Sequence, residues 1–205
     1  MYFTSSPFWL QWLYPTLIWH KNRKDKYVYL TFDDGPVPVV TPFILNTLKR
    51  FNASATFFCI GENVSKYPEI FKDVLANGHK VGNHTFNHLK GWNTSDTEYL
   101  ANIKKCSEVV QSNLFRPPYG RIRKGQIREV QAMFPGMEII MWDVLSGDFD
   151  SGISSDTCIT NVLKNVKNGS IIVFHDSEKA FARLEHALPV VLKELQFRGY
   201  GFKML

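Results

Sequence analysis

Cysteine is scarce in this 205-residue chain: Cys59, Cys106 and Cys158 are its only three. They are far apart, odd in number and without a CxxC spacing, which supports neither a zinc knuckle nor a disulfide framework. Cys59 closes an apolar run and reads as a small buried residue. Concentrated charge is lacking as well. The formal net charge is +5, spread evenly, and no recognition-helix, RNP-type or Cys/His finger pattern accompanies it, so nucleic acid is not an expected partner. So modest a basic bias suits an anionic glycan, cell-envelope material or a phospholipid surface, and a solvated basic surface accounts for it as simply. Internal repeats, low-complexity tracts and linkers are missing, which argues for a single domain. With 44% hydrophobic and 21% charged residues, neither a disordered chain nor a multi-span membrane protein fits.

Also missing is an apolar run long enough to cross a bilayer. The richest stretch, residues 7–19, holds Phe8, Trp9, Leu10, Trp12, Leu13, Tyr14, Leu17, Ile18 and Trp19, but Pro15 interrupts it. No Lys or Arg precedes it and no small-residue cleavage site follows, so a secretory signal is not expected. The sequence reading is therefore a protein that is cytoplasmic or peripheral at an inner membrane. Residues 1–22 form an aromatic extension packed on a domain of residues 23–205. The extension is either a surface layer of that domain or an interfacial anchor making peripheral membrane contact through residues 7–19, since Trp and Tyr favour headgroup depth and basic residues follow.

Beyond the extension, short β-branched and aromatic runs alternate with stretches of helical period. Strands are predicted at 27–31, 55–59, 80–82, 114–116, 138–141 and 170–174, with a last short one within 199–205. Helices are predicted at 42–51, 62–77, 96–112, 124–134, 156–168 and 183–198, with Asp96 in a cap region and Gly78 and Gly169 following helices. Alternation of this kind builds an α/β fold with a parallel sheet, either a barrel or an open doubly wound sheet. In both, loops after the strands converge at one end and form the site.

Five polar clusters fall at such strand ends. The first is Thr31-Phe32-Asp33-Asp34-Gly35-Pro36, where adjacent carboxylates point in different directions, so one can bind a cation and the other stay free as a base. The second is His84-Thr85-Phe86-Asn87-His88, whose histidines at i and i+4 would share a metal from one face of a helical turn. Adding Asp34 gives two imidazoles and one carboxylate with room for water, which suits catalytic zinc and also accommodates cobalt, nickel or manganese. The third is Arg116-Pro117-Pro118-Tyr119-Gly120: the prolines stiffen the turn, the Tyr119 N–H is free to stabilise an oxyanion, and Arg116 can pair with Asp33. The fourth spans Trp142 to Phe149, and the fifth is the apolar strand Ile171 to Phe174 ending in His175-Asp176. There His175 is placed to protonate a leaving amine and Asp148 to orient its imidazole.

TFDDGP, HTFNH and RPPYG in this order and spacing, with the Ile-Ile-Val-Phe-His-Asp end, resemble the NodB-homology polysaccharide deacetylases, carbohydrate esterase family four. The resemblance runs from about Tyr27 to the C-terminus. It implies a distorted (β/α) barrel, usually of fewer than eight strands, and a metal-dependent hydrolase that removes N-acetyl groups from an amino-sugar polymer or oligomer such as peptidoglycan or a chitin-like glycan. By motif matching it implies Asp33 as general base, Asp34, His84 and His88 as metal ligands, and Arg116 as the residue that positions Asp33. The Tyr119 N–H would serve the oxyanion, His175 would be the general acid with Asp148 as its partner, and Val173 would line the acetyl-methyl pocket. Leu145 and Phe149 stand where the family commonly has an acidic or amide residue and a Trp; Phe149 keeps an apolar wall for substrate but loses an indole N–H. Two other readings share these residues: a non-catalytic glycan-binding module on the same fold, and a deformylase or other C–N amidase acting on a lipid-linked sugar.

Overall fold

The structure, a computed structural model, describes residues 2–205. Its frame is a parallel sheet in the order β5-β4-β3-β2-β1-β7-β6, with β8 added beside β1. The strands are β1 (Tyr27–Asp33), β2 (Ala55–Cys59), β3 (Lys80–Asn83), β4 (Leu114–Phe115), β5 (Glu138–Ile139), β6 (Val144–Leu145), β7 (Ile171–His175) and β8 (Gly201–Phe202). The helices are α1 (Phe8–Leu13), α2 (Val40–Arg50), α3 (Gly61–Lys66), α4 (Pro68–Ala76), α5 (Asp96–Ser107), α6 (Lys124–Met133), α7 (Ser155–Asn165) and α8 (Glu178–Phe197). The sheet curls into the distorted (β/α) barrel that the resemblance implied.

Strand alternation decides what faces the barrel axis. On β1, Val28, Leu30 and Phe32 join the outer core under the helices, and on β7 so do Ile172 and Phe174. That leaves Tyr29, Thr31 and Asp33 on the inner face of β1, and Ile171, Val173 and His175 on that of β7. The register sets these residues side by side: Thr31 opposite Val173 and Asp33 opposite His175. A second outer cluster, containing Tyr99, Ile103, Phe115 and Val130, packs α5 and α6 against the β4–β5 side.

Several expectations shift at their edges. The predicted helix at 62–77 is two helices, because Pro68 starts α4 and cannot continue the hydrogen bonding of α3. Ser95, not Asp96, caps α5, its hydroxyl accepting from the Glu98 N–H. The helix predicted from 183 begins at Glu178, and β6 and α1 have no counterpart in the strands and helices read from sequence.

The N-terminal segment fills the opening between the two ends of the sheet. Ile18 bridges Ile140 in parallel, with Ile18 N–H on the Ile139 carbonyl at 2.9 Å and Met141 N–H on the Ile18 carbonyl at 2.7 Å. Ser5 bridges Val144 antiparallel, and His20 bridges Ser170. Leu17 and Trp19 are buried in the second cluster, and the Trp19 indole N–H reaches the Tyr14 carbonyl at 3.2 Å. Trp19→Ala should therefore behave as a core truncation, lowering the unfolding free energy by about 3–5 kcal/mol, whereas a loss below about 1 kcal/mol in urea titration would make this segment a dispensable outer layer.

Candidate active site

Arg116 occupies the barrel axis with no exposed surface. One terminal nitrogen donates to Asp33 Oδ1 at 2.6 Å and to Thr31 Oγ1 at 2.7 Å. The other donates to the Met141 carbonyl at 3.2 Å and Nε to the Ile140 carbonyl at 3.3 Å. The guanidinium carbon lies 4.1 Å from the Phe58 ring centroid. Burial lowers the arginine's pKa and the Asp33 carboxylate works against that shift.

Beyond Asp33 the chain leaves the strand. Asp34 has φ 87, the Gly35–Pro36 peptide is cis, and Asn63 Nδ2 donates to the Asp34 carbonyl at 2.7 Å. The Asp34 carboxylate thus turns away from Asp33 toward two imidazoles, with Oδ1 at 3.6 Å from His84 Nε2 and 3.3 Å from His88 Nε2. The ligand atoms of the three residues all lie within 4.8 Å of one another.

Asp34 Oδ1 is buried without a hydrogen-bond partner among the described residues. His84 Nδ1 is 2.8 Å from the Arg116 carbonyl, so that nitrogen carries the proton and Nε2 presents its lone pair. Burial, reinforced by the neighbouring His88, lowers the His84 pKa to about 3, which keeps the ring neutral over the working pH range. An orphaned carboxylate oxygen facing two imidazole nitrogens is a donor set that fits a divalent cation.

His84 and His88 do not meet on a helical turn as expected. Thr85 and His88 have φ of 64° and 59°, and the backbone between them bonds elsewhere. The Thr85 and Phe86 carbonyls accept from the Gly61 and Glu62 N–H groups at the start of α3, and the Phe86 N–H donates to Asn102 Oδ1 on α5. Tertiary partners, not an i,i+4 ladder, bring the two rings to 5.1 Å between centroids.

His175 lies across the mouth from this trio, beside Asp33 in the strand register. Its Nδ1 is 2.8 Å from Asp148 Oδ1, and its N–H donates to Asp148 Oδ2 at 2.7 Å. Asp148 is itself fully buried, with Ser146 Oγ donating to it at 3.0 Å. Burial alone would lower the imidazole's pKa. The Asp148 carboxylate, with help from Asp34 and Asp33, overrides burial and raises it to about 9. Val173 lies one inward position below His175, buried, and pairs with Leu145 on β6. Phe149 packs edge-on against the His175 ring, with 5.0 Å between centroids, and is braced by Tyr2.

Tyr119, at φ 60, holds its ring 4.6 Å from that of His88. The N–H groups of Gly120 and Arg121 go to the Pro117 and Pro118 carbonyls. Among the described residues the Tyr119 N–H meets no backbone carbonyl.

Three contributors received no role from the sequence, although Thr31 and Asp176 lie within its polar clusters. Asn63 holds the Asp34 backbone and Thr31 shares Arg116; both sit at or after strand ends, the one signal that marks them. Asp176 packs under the Gly35 turn, accepting from Thr41 Oγ1 at 2.8 Å, and burial raises its pKa to about 8. A Cβ at Gly35 would overlap its carboxyl group.

Comparison with known proteins agrees with this geometry. Residues 20–134 match the family described as polysaccharide deacetylase. A peptidoglycan-N-acetylglucosamine deacetylase of Bacillus cereus is 36% identical over 90% of this chain and 88% of its own length. Another, PgdA of Listeria monocytogenes, is 36% identical over 89% of this chain but only 38% of its own length. The crystal structure of the Bc1960 peptidoglycan N-acetylglucosamine deacetylase superposes with a TM-score of 0.89 and 33% identity, covering 98% of this chain and 95% of that one.

Two outcomes test the site. His175 should titrate near 9 by NMR, and Asp148→Asn should lower that midpoint, because burial is then opposed only by the charges of Asp34 and Asp33. Since the folded pKa is the higher one, the stability that this pair contributes is complete below 6.5 and disappears as pH rises through about 9. A titration midpoint unmoved by Asp148→Asn would break the pairing. Gly35→Ala should destabilise by about 1–3 kcal/mol in thermal unfolding, the usual range for forcing extra volume into a packed site; Asp176→Ala in the same background should recover part of that loss.

Proposed function

Because the chain belongs to the polysaccharide deacetylase family, we propose that it hydrolyses the N-acetyl groups of peptidoglycan amino sugars, leaving acetate and a free amine. Its class, a hydrolase of non-peptide carbon–nitrogen bonds, follows from the family. Peptidoglycan as substrate is supported by the names of the relatives above. The observation that carries the chemistry is Asp33, gripped by a buried arginine, next to an Asp–His–His trio with an unpartnered carboxylate oxygen.

Asp34, His84 and His88 would hold the cation, which we take to be zinc because two imidazoles and one carboxylate with an open position suit it; cobalt, nickel or manganese would also be accepted. Such a cation supplies Lewis acidity, which makes water acidic near neutral pH and polarises a carbonyl oxygen.

The chain's own residues carry the remaining work. Arg116 fixes one Asp33 oxygen, so the other faces the mouth and takes a proton as water attacks the acetyl carbon. The Tyr119 N–H stabilises the negative charge that develops on the acetyl oxygen. Asp148 pins His175 by Nδ1, so Nε2 carries the proton that the departing sugar nitrogen receives when the carbon–nitrogen bond breaks. Val173 and Leu145 offer an apolar floor for the acetyl methyl, and Phe149 walls the His175 side.

Zinc-loaded protein should release acetate from peptidoglycan fragments, stop with a chelator and recover with added zinc. Asp33→Asn should cut kcat by roughly 10²–10⁴-fold, the usual contribution of a general base, with the circular-dichroism spectrum unchanged. Undiminished turnover in that variant would refute the role of Asp33. Turnover of chitin oligomers with none of peptidoglycan would refute the substrate.

A further inference from the structure

The aromatic N-terminal segment has an outer side that neither barrel closure nor catalysis uses. Residues 1–19 contain no Asp, Glu, Lys, Arg or His. On α1, Phe8 and Trp12 stand one turn apart and are 83% and 82% exposed, and Phe3, which lines a cavity with Trp9 and Leu13, is 58% exposed. Trp9 and Leu13 are partly open as well. Aromatic side chains this bare on a short helix form the kind of contiguous apolar patch that marks an interaction site.

The charged side chains that line the hollows beside the patch have one sign. Two hollows flank α1. The larger, a cavity of about 430 Å³, runs from Trp9 and Leu13 to Trp92, Tyr119 and Trp142, and its charged lining residue is Arg121. The smaller lies between Leu13, Tyr14 and α6, and its charged lining residues are Lys124 and Arg128. Among the described residues neither hollow is lined by a carboxylate. Lys124 Nζ lies 5.4 Å from the Tyr14 ring centroid, and Arg121 lies 4.3 Å from that of Trp92.

We propose that α1 and its basic rim are a docking surface for an anionic phospholipid bilayer, with Phe8 and Trp12 inserted at headgroup depth and Lys124 and Arg128 facing lipid phosphates. Aromatic residues favour that depth and basic side chains are drawn to anionic headgroups. Among the described residues no helix is long and apolar enough to cross a membrane, so attachment through α1 is to one surface. A glycan strand, whose sugar faces can also stack on aromatic rings, is the rival occupant; the basic residues beside α1 favour the anionic bilayer. Docking in this way sets the Tyr119 side of the catalytic mouth near the bilayer.

The inference does not rest on the deacetylase reading, since binding is measured without turnover. Full-length protein is sedimented with vesicles of equal phosphatidylglycerol and phosphatidylcholine, and with phosphatidylcholine alone. Binding to the mixed vesicles should exceed binding to the neutral ones and fall with added salt. The Phe8→Ser/Trp12→Ser variant should lose at least roughly tenfold in partitioning, as the loss of two inserted aromatic side chains implies. Lys124→Glu/Arg128→Glu should abolish the preference for anionic lipid. Hydrolysis of soluble N-acetylated oligosaccharides by the aromatic variant should match wild type. Equal sedimentation of wild type and aromatic variant would overturn the proposal. So would wild-type binding to purified peptidoglycan but not to vesicles, or a dimer in light scattering that the aromatic variant dissolves.

Discussion

A single buried ion pair organises this protein's interior. The Arg116 guanidinium sits in the barrel axis, and every group around it answers to its charge: Asp33 as counter-ion, Thr31 and two carbonyls as acceptors, Phe58 as a flat surface. Removing Asp33 or its access to Arg116 would strand a charge where water cannot reach it, which costs far more than an exposed pair would. Phe58 can lie under the guanidinium because the neighbouring Gly82 has no Cβ; one there would run into the Phe58 ring. Buried pairs contribute little net stability, and this one is better understood as a device that fixes a carboxylate in position. The same residue reaches one further feature, since the Arg116 carbonyl also sets the His84 tautomer.

Around that pair, three environments drive ionisable groups apart. Burial holds His84 neutral, with a pKa near 3, and raises Asp176 to about 8. The Asp148 carboxylate pushes His175 the other way, to about 9. A neutral imidazole can ligate a cation and a charged one can deliver a proton, so their surroundings suit two histidines of identical chemistry to the opposite uses proposed for them. Asp143 shows the contrast within one motif. Only five residues before Asp148, it bonds Arg23, Ser170 and the Ile171 N–H instead, and takes its place in the frame of the barrel.

The N-terminal segment links frame and surface. Its backbone closes the gap between β5 and β6, and its inner residues Leu17 and Trp19 are core. Its outer aromatic residues remain in solvent beside a basic rim. One segment therefore has two different sides, and the reading of it as a layer or as an anchor need not be a choice.

The sequence by itself was enough to place the long β-branched strands, the alternation that makes a parallel sheet, and the polar motifs at strand ends. These depend on local period and on turn residues, which a single chain displays openly. It also offered Arg116 as a partner for Asp33, a role that the family resemblance implies; β4 and β1 are separated by two strands, and it is the curl of the sheet that brings the two side chains together. Only tertiary structure decided the rest. The path from His84 to His88 is set by α3 and Asn102, not by helical spacing; β6 exists because β7 and residues 4–6 give its two residues hydrogen bonds; and Asn63 and Asp176 matter through contacts with Asp34 and Gly35 that no local pattern announces. Each of these depends on partners distant in sequence, and a hydrogen bond or an excluded volume has no periodicity to read.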